Sequence, residues 1–178
     1  DNNEMTGAHI STAGLYSRKK SVAIGTSSMT DMPEDVIEDL DIKISPFRVI
    51  TDEGVFLDNI DLDSDEVVRY MGEENRIVES LPATYDDFVK FFTRELKNAH
   101  HIIYITISST ASIEYETVTK AAALFENVTI INSELFSSAT GILAMIAGKL
   151  AKQNIPAEKI VSELEEAKKL IHCSFVIR

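Results

Sequence analysis

The sequence predicts an α/β fold, a mainly parallel sheet with helices on both faces. Apolar, β-branched clusters alternate along the chain with segments of helical period, which is the order a parallel sheet with crossover helices requires. The clusters are near-continuous rather than alternating, as expected for strands covered on both sides. The third observation is size: 178 residues at 44 % hydrophobic content suffice to fill one core.

Taken in order, residues 1–20, DNNEMTGAHISTAGLYSRKK, are mixed and weakly periodic, so they are read as a linker or tail, and 21–178 as the folded lobe. They lack the basic start and apolar centre of a signal peptide. Val22 to Ile24 predicts the first strand. Asp31-Met32-Pro33-Glu34 is a helix start, with Asp near the cap and Pro in the first turn, leading into a helix to Leu40. Ile42 to Ile50 predicts a second strand, and the turn signal Glu53-Gly54 in TDEGVF predicts a small antiparallel hairpin beside the sheet. A short helical period covers Asp65 to Met71. Pro82, Thr84 and Asp87 mark the start of a helix over Tyr85 to Asn98 that carries Phe88, Phe91, Phe92 and Leu96. His101 to Ile107 is the third strand and Ile113 to Phe125 the next helix, with Val118, Ala121 and Ala122 in register. Val128 to Ile131 is the fourth strand. Helices follow at Ala139 to Lys152 and Ala157 to Ile171, the latter with Ile160, Leu164, Ala167 and Ile171 on one face. The end, SFVIR at 174–178, reads as a further strand, and a chain that begins without Met and stops in a strand reads as a piece of something longer.

Composition excludes several functions. Lys and Arg number 17 against 29 Asp and Glu, a net charge of −12 that disfavours nucleic acid, whose affinity comes from clustered cations. The single cysteine, Cys173, rules out an intramolecular disulfide and fits a reducing, cytoplasmic compartment. The longest apolar candidate, GILAMIAGKL, contains Lys149, so no membrane span is expected. There is no nucleophile elbow, phosphate loop or dinucleotide fingerprint. His9, His100, His101 and His172 have no metal-like spacing, and the acidic pairs Asp35 and Asp39, Asp61 and Asp63, Asp86 and Asp87 read as solvated charge. No catalytic residue, metal or cofactor is implied.

Chemistry concentrates where the strands end. In a parallel sheet every strand delivers its carboxyl end to one edge, and ligands bind in the crevice outside it. After three of the strands come TSSMTD (26–31), SSTAS (108–112) and NSELFSS (132–138), all rich in hydroxyls and free of Lys, Arg and His. Hydroxyls beside helix N-termini can hold a carboxylate or phosphate without a formal positive charge. The plainer role for Ser112 and Ser137 is helix capping. Ser80, just ahead of the Phe-rich helix, lies in a loop within reach of the same edge.

The ordered segments VAIGTSSMTDMP (22–33), ISPFRV (44–49), FLDNIDL (56–62), SLPATYDDF (80–88), ITISSTASIEYETV (105–118) and VTIINSELFSSATG (128–141) resemble the DegV family of bacterial fatty-acid-binding proteins, over that family's first lobe only. The family's T-D-S-T-A-D-L-P falls on Thr26 to Pro33, with Ser27 in place of the first Asp. Its T-S-Q-P-S falls on Ser80 to Thr84 without the Gln, and its S-S-x-L-S-G-T-Y on Ser108 to Tyr115, with Ile113 and Glu114 in place of Gly-Thr. The resemblance implies non-catalytic binding of a long-chain fatty acid, its carboxylate held by Ser80, Ser109 and Ser112 with Ser28 and Ser108 as neighbours, and its presentation to a partner fatty-acid kinase. Thr84 stays open as an alternative to Ser80. The second lobe, which closes the cleft in the family, is absent from this chain, and the exposed final strand and uncovered cleft invite self-association. The alternatives are an interaction module that kept the fold and lost the lipid, and an enzyme acting on a phosphorylated or acylated substrate.

Overall fold

The computed structural model describes residues 19–51, 53–57, 69 and 79–176. Strand β1 (Lys20–Ser27) leads through a single 3-10 turn (Ser28–Thr30) to helix α1 (Glu34–Leu40). Strands β2 (Lys43–Ser45), β3 (Arg48–Thr51), β4 (Gly54–Leu57) and β5 (Glu79–Leu81) follow, then helix α2 (Tyr85–Glu95), β6 (Ala99–Thr106) and α3 (Glu114–Ala122). Strand β7 (Val128–Asn132) precedes helices α4 (Ser137–Lys152) and α5 (Ala157–Val176).

Four strands form a parallel sheet in the order β2-β1-β6-β7. The chain leaves β1 through α1 on one face and β6 through α3 on the other, so the strand order reverses between β1 and β6. That is the topological switch point of an open α/β sheet, and the crevice above it is where such sheets bind ligands.

Alternation within the central strands builds two cores. Val22, Ile24, Ile103 and Ile105 face α1, α4 and α5, where Leu40, Leu143, Ala144, Ala147, Ile160 and Leu164 close over them. Ala23, Ile102 and Tyr104 face α2 and α3, against Phe88, Phe91, Phe92, Val118 and Ala121. Tyr104 meets Phe88, Phe91 and Phe92 edge-on at centroid distances of 5.6, 5.8 and 5.9 Å, contacts worth about 0.5–1.5 kcal/mol each beyond area burial. Gly141 lets α4 approach the turn after β1: a Cβ there would lie 3.1 Å from both Met32 Cγ and the Thr30 carbonyl oxygen. That contact fixes one wall of the switch point.

The expected strand over Ile42 to Ile50 divides in two at Pro46. Residues before it pair with β1, and those after it turn away to form a separate antiparallel sheet, β4-β3-β5. Proline has no N–H to give to a ladder, which suits it to the break. The hairpin at 51–56 forms, with Thr51 opposite Gly54 and Gly54 at φ 146°. The capping box at Thr84 and Asp87 is present, each side chain accepting from the other's backbone N–H at 3.2 and 3.0 Å. The helix expected over Asp65 to Met71 lies outside the described residues except for Arg69, which is helical.

The strand expected at 174–178 does not form over its described residues. Residues 174–176 are not strand but the last turn of α5, where Ser174 Oγ donates to the Leu170 carbonyl at 3.0 Å. A short β-branched and aromatic run extends an established helix more readily than it nucleates a new element. The proposed route to self-association through an exposed final strand falls with it.

Candidate functional site

Parallel register carries the polar strand ends to one edge: Ser27 lies opposite Ser45, Thr26 opposite Ile105 and Thr106 opposite Asn132. The hydroxyls expected to matter occupy this edge in different ways. Ser28, half-buried in the turn after β1, accepts the Phe47 backbone N–H at 3.0 Å. Ser108, buried after β6, receives the Thr110 N–H at 3.3 Å and lies 2.8 Å from the Thr110 hydroxyl. Ser109 is exposed and accepts from Asn132 Nδ2 at 3.1 Å. Ser112 accepts the Glu114 N–H at 3.2 Å. Ser109, Thr110, Ala111, Ser112, Ile113, Tyr115 and Glu116 surround an open concavity of about 380 Å³.

Ser80 stands apart from that concavity. It is exposed on β5, opposite Val49 in the small sheet, rather than in a loop. Capping is also distributed differently from expectation. Ile113 and Phe136 occupy the cap positions of α3 and α4, Ser137 is the first helical residue, and Ser112 serves the first amide of α3 from one residue further out.

The third hydroxyl loop, after β7, is turned partly inward. Ser133 is fully buried, 2.8 Å from the Thr140 hydroxyl, and receives the Leu135 N–H at 3.0 Å. Lys168 of α5 holds this loop from behind, donating to the Asn132 carbonyl at 3.2 Å and pairing with Glu134 and Glu165 at 3.2 and 3.0 Å. Burial favours the neutral amine, yet the two carboxylates outweigh it and raise the Lys168 ammonium above its ordinary range. Ser133 and Thr140 are thus turned inward, while Ser138 of the same segment remains exposed at the start of α4.

Beneath the edge lies a polar group that was not among the expected site residues. Glu114, the first residue of α3, is 0 % exposed and neither carboxyl oxygen has a hydrogen-bond partner. The buried hydroxyls of Ser27 and Tyr104 likewise lack one. Burial pushes the Glu114 carboxyl up to about 7. The nearby Ser27 hydroxyl and Ile107 backbone offset this in part, without a hydrogen bond of ordinary geometry forming. The dipole of α3 favours a charge here by only ~0.3–1 kcal/mol. Carrying a carboxylate into the interior costs several kcal/mol, so desolvation wins. Tyr104 is driven well above the usual phenol range by its own burial and by the adjacent carboxyl. The signal was legible in principle, because Glu114, Val118 and Ala121 stand at i, i+4 and i+7, which puts a carboxyl on the apolar stripe. Ser27 and Glu114 face one another.

Known proteins share this architecture. The sequence profile described as an uncharacterised protein of the DegV family matches residues 21–178. A DegV domain-containing protein of Listeria innocua is 31 % identical over 160 residues, covering 88 % of this chain and 56 % of the relative. Another, from Clostridium acetobutylicum, is 29 % identical over 147 residues, covering 82 % and 53 %. The chain spans about half the length of the curated relatives it matches. Among solved structures, DegV of Bacillus subtilis, a fatty acid binding protein, superposes with a TM-score of 0.78 at 25 % identity, over 85 % of this chain and 55 % of that one. A stearic acid-binding protein from Eubacterium ventriosum gives 0.71 at 21 %, over 83 % and 52 %. Among the described residues no helix is long and apolar enough to cross a membrane.

Proposed function

Because the chain belongs to the DegV family, we propose that it binds a long-chain fatty acid without chemically altering it, the carboxylate resting on hydroxyls at the carboxyl edge of the parallel sheet. One observation carries the assignment. Ser28, Ser109 and Ser112 each accept a hydrogen bond from an N–H of the protein, so each keeps its own O–H proton to donate outward. Hydroxyls oriented in this way suit an anion, and bonds of this kind to a charged group are worth about 1.5–3 kcal/mol each. Ser109 and Ser112 make the direct contacts in this reading, with Ser28 and Ser108 beside them, while Ser80, on the small sheet, stands outside the concavity.

The acyl chain supplies most of the affinity. Burial is worth about 0.8 kcal/mol per CH₂, so a long chain gains on the order of 10 kcal/mol before the costs of association. Exposed Ile113 and Phe136 flank the edge and offer apolar surface to it. Since relatives are about twice as long as the matched region, a second lobe closes the cleft in this reading and the folded lobe of this chain is residues 21–178. Neutral donors leave the carboxylate oxygens accessible to a fatty-acid kinase, the partner to which the bound acid is presented.

The test is affinity for stearic acid in the full-length protein, for wild type and for a variant carrying Ser109→Ala and Ser112→Ala. Loss of the two contacts is expected to weaken binding by tenfold or more, the equivalent of about 1.4 kcal/mol. Unchanged affinity would sink the assigned site, and recovery of a protein partner with no lipid would replace this reading with that of an interaction module.

A further inference from the structure

The position of Ser112 is tied to Glu114. Glu114 donates its backbone N–H to Ser112 Oγ at 3.2 Å, so the first turn of α3 and the serine move together. Its side chain points into the core with both oxygens unpartnered. From β1 the facing group is the Ser27 hydroxyl. From β6 it is Tyr104, a titratable group, with Ser45 of β2 at that phenol. Among the described residues no lysine, arginine or histidine supplies a compensating charge there, and the acidic and basic side chains further along α3, Glu116 and Lys120, pair with each other on its exposed face at 2.8 Å.

We propose that Glu114 is a positioning residue for the ligand edge: with its proton on, the buried carboxyl seats the first turn of α3 and Ser112 against the sheet, and with its proton off that turn is released. The inference rests on the fatty-acid reading for its ligand, though not for its structural basis. An ionised carboxylate here has no cation beside it, and the Ser27 hydroxyl and Ile107 backbone offset its desolvation only in part, so the shortest way to water is for the helix start to lift. The seated carboxyl titrates near 7 against an ordinary glutamate value of 4.5. The seated turn is therefore favoured in full below the ordinary value, loses about a factor of ten per pH unit up to about 7, and levels off above, where both states are ionised. The difference of 7 − 4.5 = 2.5 pH units corresponds to a total of about 300-fold.

Amide hydrogen exchange of the ligand-free full chain between about pH 5 and about pH 8, corrected for intrinsic rates, reads this equilibrium directly. Protection of the Glu114 and Thr117 N–H groups is expected to fall about tenfold per pH unit toward 7 in wild type, and to be flat in Glu114→Gln. Glu114→Thr, which removes the ionisable group with a smaller side chain, serves as a second variant should Glu114→Gln fail to fold. A slope shared by wild type and both variants, or absent from all three, would overturn the proposal. Stearic acid affinity measured over the same range should follow the protection in wild type and stay level in the variants. Affinity that ignores a falling protection would overturn the positioning role. If no form binds stearic acid at any pH, the fatty-acid reading fails by itself, and the exchange data still decide the role of Glu114.

Discussion

Asp87 connects two parts of the molecule, and its replacement by Ala should cost more than a surface carboxylate normally does. Its carboxylate receives the Thr84 N–H at 3.0 Å in the capping box of α2, and also accepts from Arg48 Nε and Nη2 at 3.1 and 2.7 Å. Arg48 opens β3, so this pair fastens the small sheet, and with it Ser80, to the Phe-rich helix. Loss of the cap costs about 1 kcal/mol. The ion pair has side chains exposed by 33 % and 32 %, so screening holds it to about 0.5–1 kcal/mol. Asp87→Ala should therefore lose about 2 kcal/mol in urea denaturation, and Asp87→Asn, which keeps an acceptor for Thr84, roughly half of that. A double-mutant cycle with Arg48→Met isolates the pair and should return a coupling of about 0.5–1 kcal/mol. The pH dependence has a definite sign. Burial alone would raise the Asp87 carboxyl, but the Thr84 N–H and Arg48 outweigh it and hold the group below the ordinary aspartate range. The stabilisation is thus present above that range and disappears as pH falls through the lowered value. A cycle that closes to zero, or an Asp87→Ala penalty no larger than that of Thr84→Ala at neutral pH, would refute the claim that the small sheet is held through this pair.

Two further outcomes test the packing described above. Leu143→Ala removes a fully buried side chain of α4 from the face where Ile24, Ile103 and Leu164 meet, and should cost about 3 kcal/mol by calorimetry or urea; a loss under about 1 kcal/mol would mean that the core closes over the gap. Tyr104→Phe deletes a buried hydroxyl that has no hydrogen-bond partner while keeping the ring contacts, and should be neutral or stabilising by up to about 1 kcal/mol. A clear loss of stability would reveal a partner for that hydroxyl.

The parallel sheet was legible because Val22 to Ile24 and His101 to Ile107 are apolar on both faces, and the helices because their apolar stripes are long enough to fix a period. The hydroxyl edge was legible for the same reason: once strands are known to be parallel, the loops at their carboxyl ends must gather. What escaped was decided by tertiary pairing. Pro46 could be read only as part of a strand until the residues after it were seen to choose partners in another sheet, and β5 is three residues long, too short to announce itself. The last residues of the chain carry β propensity, which the helix already formed beside them overrides. Glu114 was passed over because a lone carboxylate on a helix is ordinarily solvated. Only the three-dimensional packing shows that it is buried.

The small antiparallel sheet begins at Arg48 and ends at Leu81, and these two residues lie opposite one another, so the chain enters and leaves it at one point. A segment that departs and re-enters at one point can change length cheaply, since doubling a loop adds only about 0.6 kcal/mol of closure entropy. A change of length there would leave untouched the parallel sheet that carries Ser28, Ser108, Ser109 and Ser112, and would bear only on Ser80. A panel attached in this way can be lengthened or shortened without refolding the sheet beside it.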